Sequence, residues 1–284
     1  MTSSLSLADN VPASSRRGSD RMIATWVGFI AMGLVLILVV LPALLPTSPT
    51  AIDPTASLQP PSVAHPFGTD QVGRDIASRV LHGARISILV SSVTATLALL
   101  VGGLLGAAAA LGPRWLDEVV MRVSDIGLAF PGMLLAIVIA ASIGPSLGTT
   151  ILVISILMTP PMARVARSAI LNELGEDYVT AARLIGTRSP RILLRHIAPV
   201  AATPIAVYTT VIAAVAIAAE AGLSFLGAGV PPPAPSWGNI IRDGQALSQA
   251  GAWWVALFPG LAIMGAVLTL NRFSEALGRR LRST

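Results

Sequence analysis

The 284-residue chain is 54% hydrophobic and only 12% charged, with a mean hydropathy of +0.75 and a formal net charge of +5. Soluble domains carry about a quarter charged residues, so this composition excludes the soluble globular classes and predicts an all-α polytopic membrane protein. Cysteine and lysine are both absent. That excludes disulfides, thiolate metal sites and any phosphate-binding loop of the GxxxxGK[ST] type, whose lysine is obligatory; ATP, if used, is hydrolysed by another subunit.

Residues 1–21 are polar and serine-rich and read as a disordered N-terminal tail. The run MIATWVGFIAMGLVLILVVLPALL, residues 22–45, has the length of a span, roughly 20 residues, and exceeds the apolar core of about 7–15 residues in a cleaved signal peptide. It is read as the first span. The second is expected at about 86–111 and holds Gly102 and Gly106 at GxxxG spacing. Small residues there let helices approach closely, either inside the bundle or between two subunits. The third is expected at 119–143 and the fourth from 147 to about 167, joined by the tight turn IGPSLG.

A polar segment, residues 177–199, follows: DYVTAARLIGTRSPRILLRHIAP. Glu176 or Asp177 can cap a first short helix, and Gly186 can end it in a left-handed conformation. Ser189 can cap a second, with Pro190 at its first position, where a missing N–H costs nothing. On the first helix Tyr178, Ala181, Ala182 and Ile185 fall at i, i+3, i+4 and i+7, a short apolar stripe. Such a stripe either lies in another protein's groove or packs on the chain's own spans, and spacing alone does not separate the two.

The fifth span is expected at about 200–221 and the sixth at about 253–270, with Trp253 and Trp254 at a membrane interface. Between them GVPPPAPSWGN is semi-rigid through its prolines, suited to a docking platform or a lid. Pro131, Pro160, Pro161 and Pro259 lie in or beside spans, where they can kink helices. With the N-terminus inside, fifteen of the nineteen arginines collect on the cytoplasmic side, and only Arg74, Arg79, Arg85 and Arg242 lie outside. The positive-inside rule therefore places both termini in the cytoplasm. It also accounts for the basic charge without nucleic acid. His65, His82 and His196 lack ligand spacing, so no metal site is expected, and no paired nucleophile and base suggests a catalytic residue.

The polar segment resembles the EAA loop of ABC-importer permeases: Thr180-Ala181-Ala182, then Gly186, then Pro199 thirteen residues on. Thr180 stands where that pattern has glutamate, and Ala198 where it usually has leucine. Three further blocks, HPFGTDQVGRDIASRVLHGARISI, MRVSDIGLAFPGMLLAI and AEAGLSFLGAGVPPPAPSWGN, resemble the C-type subunits of the dipeptide, oligopeptide and nickel permeases. The tail departs from that family at Ser274-Glu275 and Gly278-Arg279-Arg280. The resemblance implies a type I importer permease fold of about six transmembrane helices over residues 22–284, with a coupling loop at about 170–199, in a bacterial plasma membrane.

It further implies a homologous second permease, two ATPase subunits carrying ATP and magnesium, and an extracytoplasmic substrate-binding protein as partners, with membrane lipid around the spans and no cofactor on this chain. Tyr178, Ala181, Ala182, Ile185 and Gly186 would then contact an ATPase. Asp125 and Glu220, the acidic residues nearest membrane depth, are candidates for the translocation path or gate, or for structural locks paired with an arginine or a backbone donor. Short peptides are the expected cargo; a nickel chelate is the alternative within the family. An ion-coupled secondary transporter is the rival class, and it would show inverted repeats and paired midplane charges, which the sequence lacks.

Overall fold

A computed structural model describes residues 48–281 except 186 and 188. The N-terminal tail, the expected first span at 22–45, Gly186 and the last three residues lie outside the described residues.

The chain enters through a strap, residues 48–75, that is held by turns. Gly68 and Gly73 take φ of +73° and +78°, and a Cβ on Gly73 would stand 1.7 Å from the Asp53 carbonyl oxygen, so only glycine fits. Asp75 then caps α1 (Ile76–Leu97), accepting from the Ser78 N–H at 2.7 Å. A π-helical turn at Ala98–Gly102 and α2 (Gly103–Leu111) continue it as one helix of 36 residues. The second span's helix thus begins at Ile76, ahead of the expected start at about 86, because the polar residues Ser78, Arg79 and His82 are helical.

The expected third span is not one rod. It divides into α3 (Arg114–Ala129) and α4 (Gly132–Ile143), bent by 89°. Phe130 precedes Pro131, whose ring drives the preceding residue out of the helical region; Phe130 is extended, at φ −86° and ψ 142°. Gly144, at φ +102°, turns the chain into α5 (Leu147–Leu174), which Ser146 caps through the Thr149 N–H at 3.0 Å.

Two short helices, α6 (Asp177–Leu184) and α7 (Ser189–Ile192), cross to a second π-helical segment, Leu193–Ile197, and α8 (Ala198–Phe225). The segment expected as a proline-rich outer loop contains a helix, α9 (Trp237–Ser248), with a reciprocal cap between Ser236 and Asn239. The last helix, α10 (Trp254–Leu281), runs eleven residues past the expected end at 270. Four helices among the described residues are long and apolar enough to cross a membrane, or five if the bent pair counts as one span.

The bundle is knitted by small residues. Alanines at 84, 98, 136, 140, 166 and 216 are fully buried, which lets helix axes approach where lipid offers no hydrophobic drive for association. A Cβ on Gly102 would meet the Thr159 carbonyl oxygen at 2.7 Å, and one on Gly106 the Ala163 oxygen at 2.3 Å. The GxxxG face is therefore used internally, against α5. Two ion pairs, Arg167 with Asp117 and Arg164 with Asp125, join α3 to the lower half of α5.

Candidate functional site: an exposed helix edge and a clamped opposite end

At one end of the bundle α6 sits on an apolar seat. Val179 is fully buried in a cluster with Ala169 and Ile170 of α5, Ile192 of α7, Ile197 and Ala201. Ala182 is half-buried against the same cluster. The opposite edge of this eight-residue helix carries Tyr178, Ala181 and Leu184 and leads to Ile185; Leu184 and Ile185 are 84% and 82% exposed. The Tyr178 hydroxyl donates to Glu173 Oε2 at 2.7 Å, locking the ring across the α5–α6 turn. Partial burial and that carboxylate push the Tyr178 phenol up to about 12, so it stays neutral at physiological pH.

Of the sequence-predicted stripe, Tyr178, Ala181 and Ile185 therefore share the outer edge. Ala182 turns toward the chain's own core, and Gly186 lies outside the described residues. Leu184 belongs to the edge and was not in the stripe. The stripe leaves out Val179 and Leu184, and these two lie on opposite sides of a helix only two turns long, one buried and one exposed. The buried side thus belongs to one apolar cluster with residues of α5 and of the start of α8.

The two acidic candidates lie in different places and share no partner. Asp125 is exposed on α3 and accepts from Arg164 Nη2 at 2.5 Å. Glu220 is fully buried on α8 at the other end of the bundle. Both its oxygens are occupied: Oε2 accepts from Ser87 Oγ and Oε1 from Ser224 Oγ, each at 2.8 Å.

That other end also holds a charge network the sequence did not disclose. Asp70 Oδ2 accepts from Arg79 Nη1 and Arg74 Nε, both at 2.6 Å, and Arg79 Nη2 donates to Asp243 Oδ2 of α9 at 3.2 Å. Asp70 and Arg79 are buried, and burial strengthens such pairs while making each partner indispensable. Two tryptophans complete the clamp: Trp237 Nε1 donates to the Val80 oxygen at 2.8 Å and Trp254 Nε1 to the Thr69 oxygen at 3.1 Å. Phe67 of the strap stacks on Phe258 of α10 with ring centroids 4.1 Å apart. The strap, α1, α9 and α10 are thereby tied together at this end of the bundle. Asp243 lies more than 160 residues from Arg74 and Arg79, so no local pattern could have paired them.

Residues 98–283 match the family described as binding-protein-dependent transport system inner membrane component. A Brucella suis protein with the provisional name peptide transport system permease protein is 42% identical over 252 residues, 87% of this chain and 84% of that protein. The dipeptide transport system permease protein DppC of Alkalihalophilus pseudofirmus is 40% identical over 248 residues, covering 87% and 81%. Among solved structures the fold is similar to the inward-facing MetNI methionine ABC transporter, with a TM-score of 0.58 at 17% identity over 72% of this chain and 95% of that one.

Proposed function

The chain belongs to the family of binding-protein-dependent transport system inner membrane components, and from that premise we propose that it moves short peptides through a bacterial plasma membrane, with both termini in the cytoplasm. It is a multi-pass permease subunit. The observation that carries the peptide reading is the roughly 40% identity, over most of the chain, to proteins named for peptides and dipeptides. A nickel-chelate cargo is the second reading, since the blocks quoted above resemble nickel permeases as well.

In this reading the exposed edge of Tyr178, Ala181, Leu184 and Ile185 lies in a groove of an ATPase subunit, in the manner of a short helix presenting apolar anchors. Closure of the ATPases around ATP displaces α6, and its seat on Val179 passes the displacement to α5 and α8. ATP and magnesium are bound by those partner subunits. The chain itself supplies no group for hydrolysis, in keeping with the missing lysine. At the opposite face, the outer segment between α8 and α10, exposed at Pro231, Pro232 and Pro233, receives the substrate-binding protein.

Co-expression with the ATPases and a second permease tests the assignment. The purified chain alone should hydrolyse no ATP, and the assembled complex should do so faster when the peptide-loaded binding protein is added. Turnover by the isolated chain, or a complex indifferent to the binding protein, would contradict it.

A further inference from the structure

The cap at the outer end is fastened through one buried carboxyl group. Glu220 lies one turn from the end of α8, and three hydroxyls converge on it from three segments. Ser87 of α1 and Ser224 of α8 donate to its two oxygens at 2.8 Å, and the Ser236 hydroxyl, which caps α9, lies beside the same group. All three serines are buried. Each leads onward into the outer segment. Ser224 Oγ accepts from the Val230 N–H at 3.1 Å, and Ser236 Oγ from the Asn239 N–H at 3.3 Å. Asn239 Nδ2 in turn donates to the Ala234 oxygen at 2.8 Å. The backbone is drawn in equally tightly. A Cβ on Gly229 would stand 2.2 Å from Ser224 Oγ, and one on Gly238 2.3 Å from the Ala221 oxygen.

The three exposed prolines at 231, 232 and 233 therefore project from a loop whose two ends, Val230 and Ser236, are both tied to the Glu220 cluster. Each Glu220 oxygen is held by a serine hydroxyl. A carboxyl group in that position is costly to bury, and apolar packing would hold two helices together without it. What a carboxyl group adds is direction: it fixes the Ser87 and Ser224 hydroxyls, and through Ser224 the start of the loop, in one arrangement.

We propose that Glu220 is a positioning residue for the transport cycle, holding the 226–236 loop and the start of α9 in the geometry that the substrate-binding protein engages. This rests on the outer segment being the docking face. In the dynamics of the cycle it separates two functions: the loop tip makes the contact, and Glu220 sets where the tip stands.

The test uses the complete transporter in proteoliposomes and measures ATP hydrolysis against binding-protein concentration. Glu220→Ala should raise the half-saturating concentration about tenfold, the factor that about 1.4 kcal/mol represents, with basal hydrolysis and the maximal rate unchanged. Glu220→Gln keeps the shape and one acceptor and should recover most of the loss. Pro231→Glu, at the exposed tip, tests the docking face by itself. A weakened Pro231→Glu beside an unaffected Glu220→Ala overturns the positioning role and leaves the docking face standing. An unaffected Pro231→Glu overturns the docking face, and this inference with it. Equal loss of basal and maximal hydrolysis in Glu220→Ala means a structural residue only, and also overturns it. If Glu220→Ala does not assemble, Ser87→Ala and Ser236→Ala each remove one arm, and wild-type half-saturation in both would overturn the proposal.

Discussion

Truncating Leu184 and Ile185 to alanine isolates the docking energy of α6 from the stability of the permease. Both side chains are more than four-fifths exposed, and substitutions at such positions typically change folding stability by less than about 0.5 kcal/mol. In an ATPase groove each truncation removes three buried carbons, about 2.4 kcal/mol at roughly 0.8 kcal/mol per CH₂. That is about 50-fold in affinity. Neighbouring residues are not additive, so the double variant is expected to lose at least about 100-fold. Purified ATPase would be titrated onto the detergent-solubilised permease pair, with the melting temperature of the permeases measured in parallel. Weakened binding with an unchanged melting temperature is expected. Wild-type binding by the double variant would refute the reasoning, as would a loss explained by unfolding. Ala182→Trp is the less informative change. Ala182 is half-buried on the chain's own cluster, so the overpacking, about 1–3 kcal/mol, would fall on the permease as well as on its partner.

Gly106→Val should lower the melting temperature while allowing membrane insertion, because its Cβ would press on backbone atoms of α5 at 2.3 and 2.9 Å and overpacking costs about 1–3 kcal/mol; an unchanged melting temperature would mean the helices are not in close contact. Asp70→Ala leaves Arg79 buried without its main partner and should destabilise by about 3–5 kcal/mol, whereas Glu118→Ala, which breaks an exposed pair with Arg114, should change stability by less than about 1 kcal/mol. Thermal melts of the two side by side check the contrast, and equal effects would contradict it. A reporter fused after Gly175 should behave as cytoplasmic and one inserted at Ala234 as external; the reverse would invert the proposed topology.

The long apolar helices were legible because hydropathy over about 20 residues follows directly from the thickness of the bilayer. Where a feature depended on local signals, its legibility varied. Pro131 was recognised as a kink, but the unbroken apolar run on both sides of it concealed a turn of 89°. The Ser236–Asn239 cap that opens α9 was present in the sequence, yet the prolines before it drew the segment toward an irregular reading. The start of α1 was hidden differently. Arg79 looks like a loop residue until Asp70 and Asp243 are seen to neutralise it, and those partners come from the strap and from α9. The same limit applies to Glu220, whose Ser87 partner is 133 residues away. Its burial could be suspected from an acidic residue in an apolar run; its partners could not, because a single sequence does not state which distant side chains meet. In the polar segment, periodicity grouped Tyr178, Ala181 and Ile185, which are exposed, with Ala182, which is half-buried on the chain's own cluster, because two turns are too few to define a face.

The central claim is that this permease is driven by ATP bound on other subunits and carries short peptides. Uptake of a labelled dipeptide into proteoliposomes measures it most directly, with the second permease, the ATPases and the binding protein supplied or omitted one at a time. Uptake should require all of them together with ATP, and should persist when proton and sodium gradients are collapsed. Uptake driven by an ion gradient through this chain without the ATPases would contradict the account.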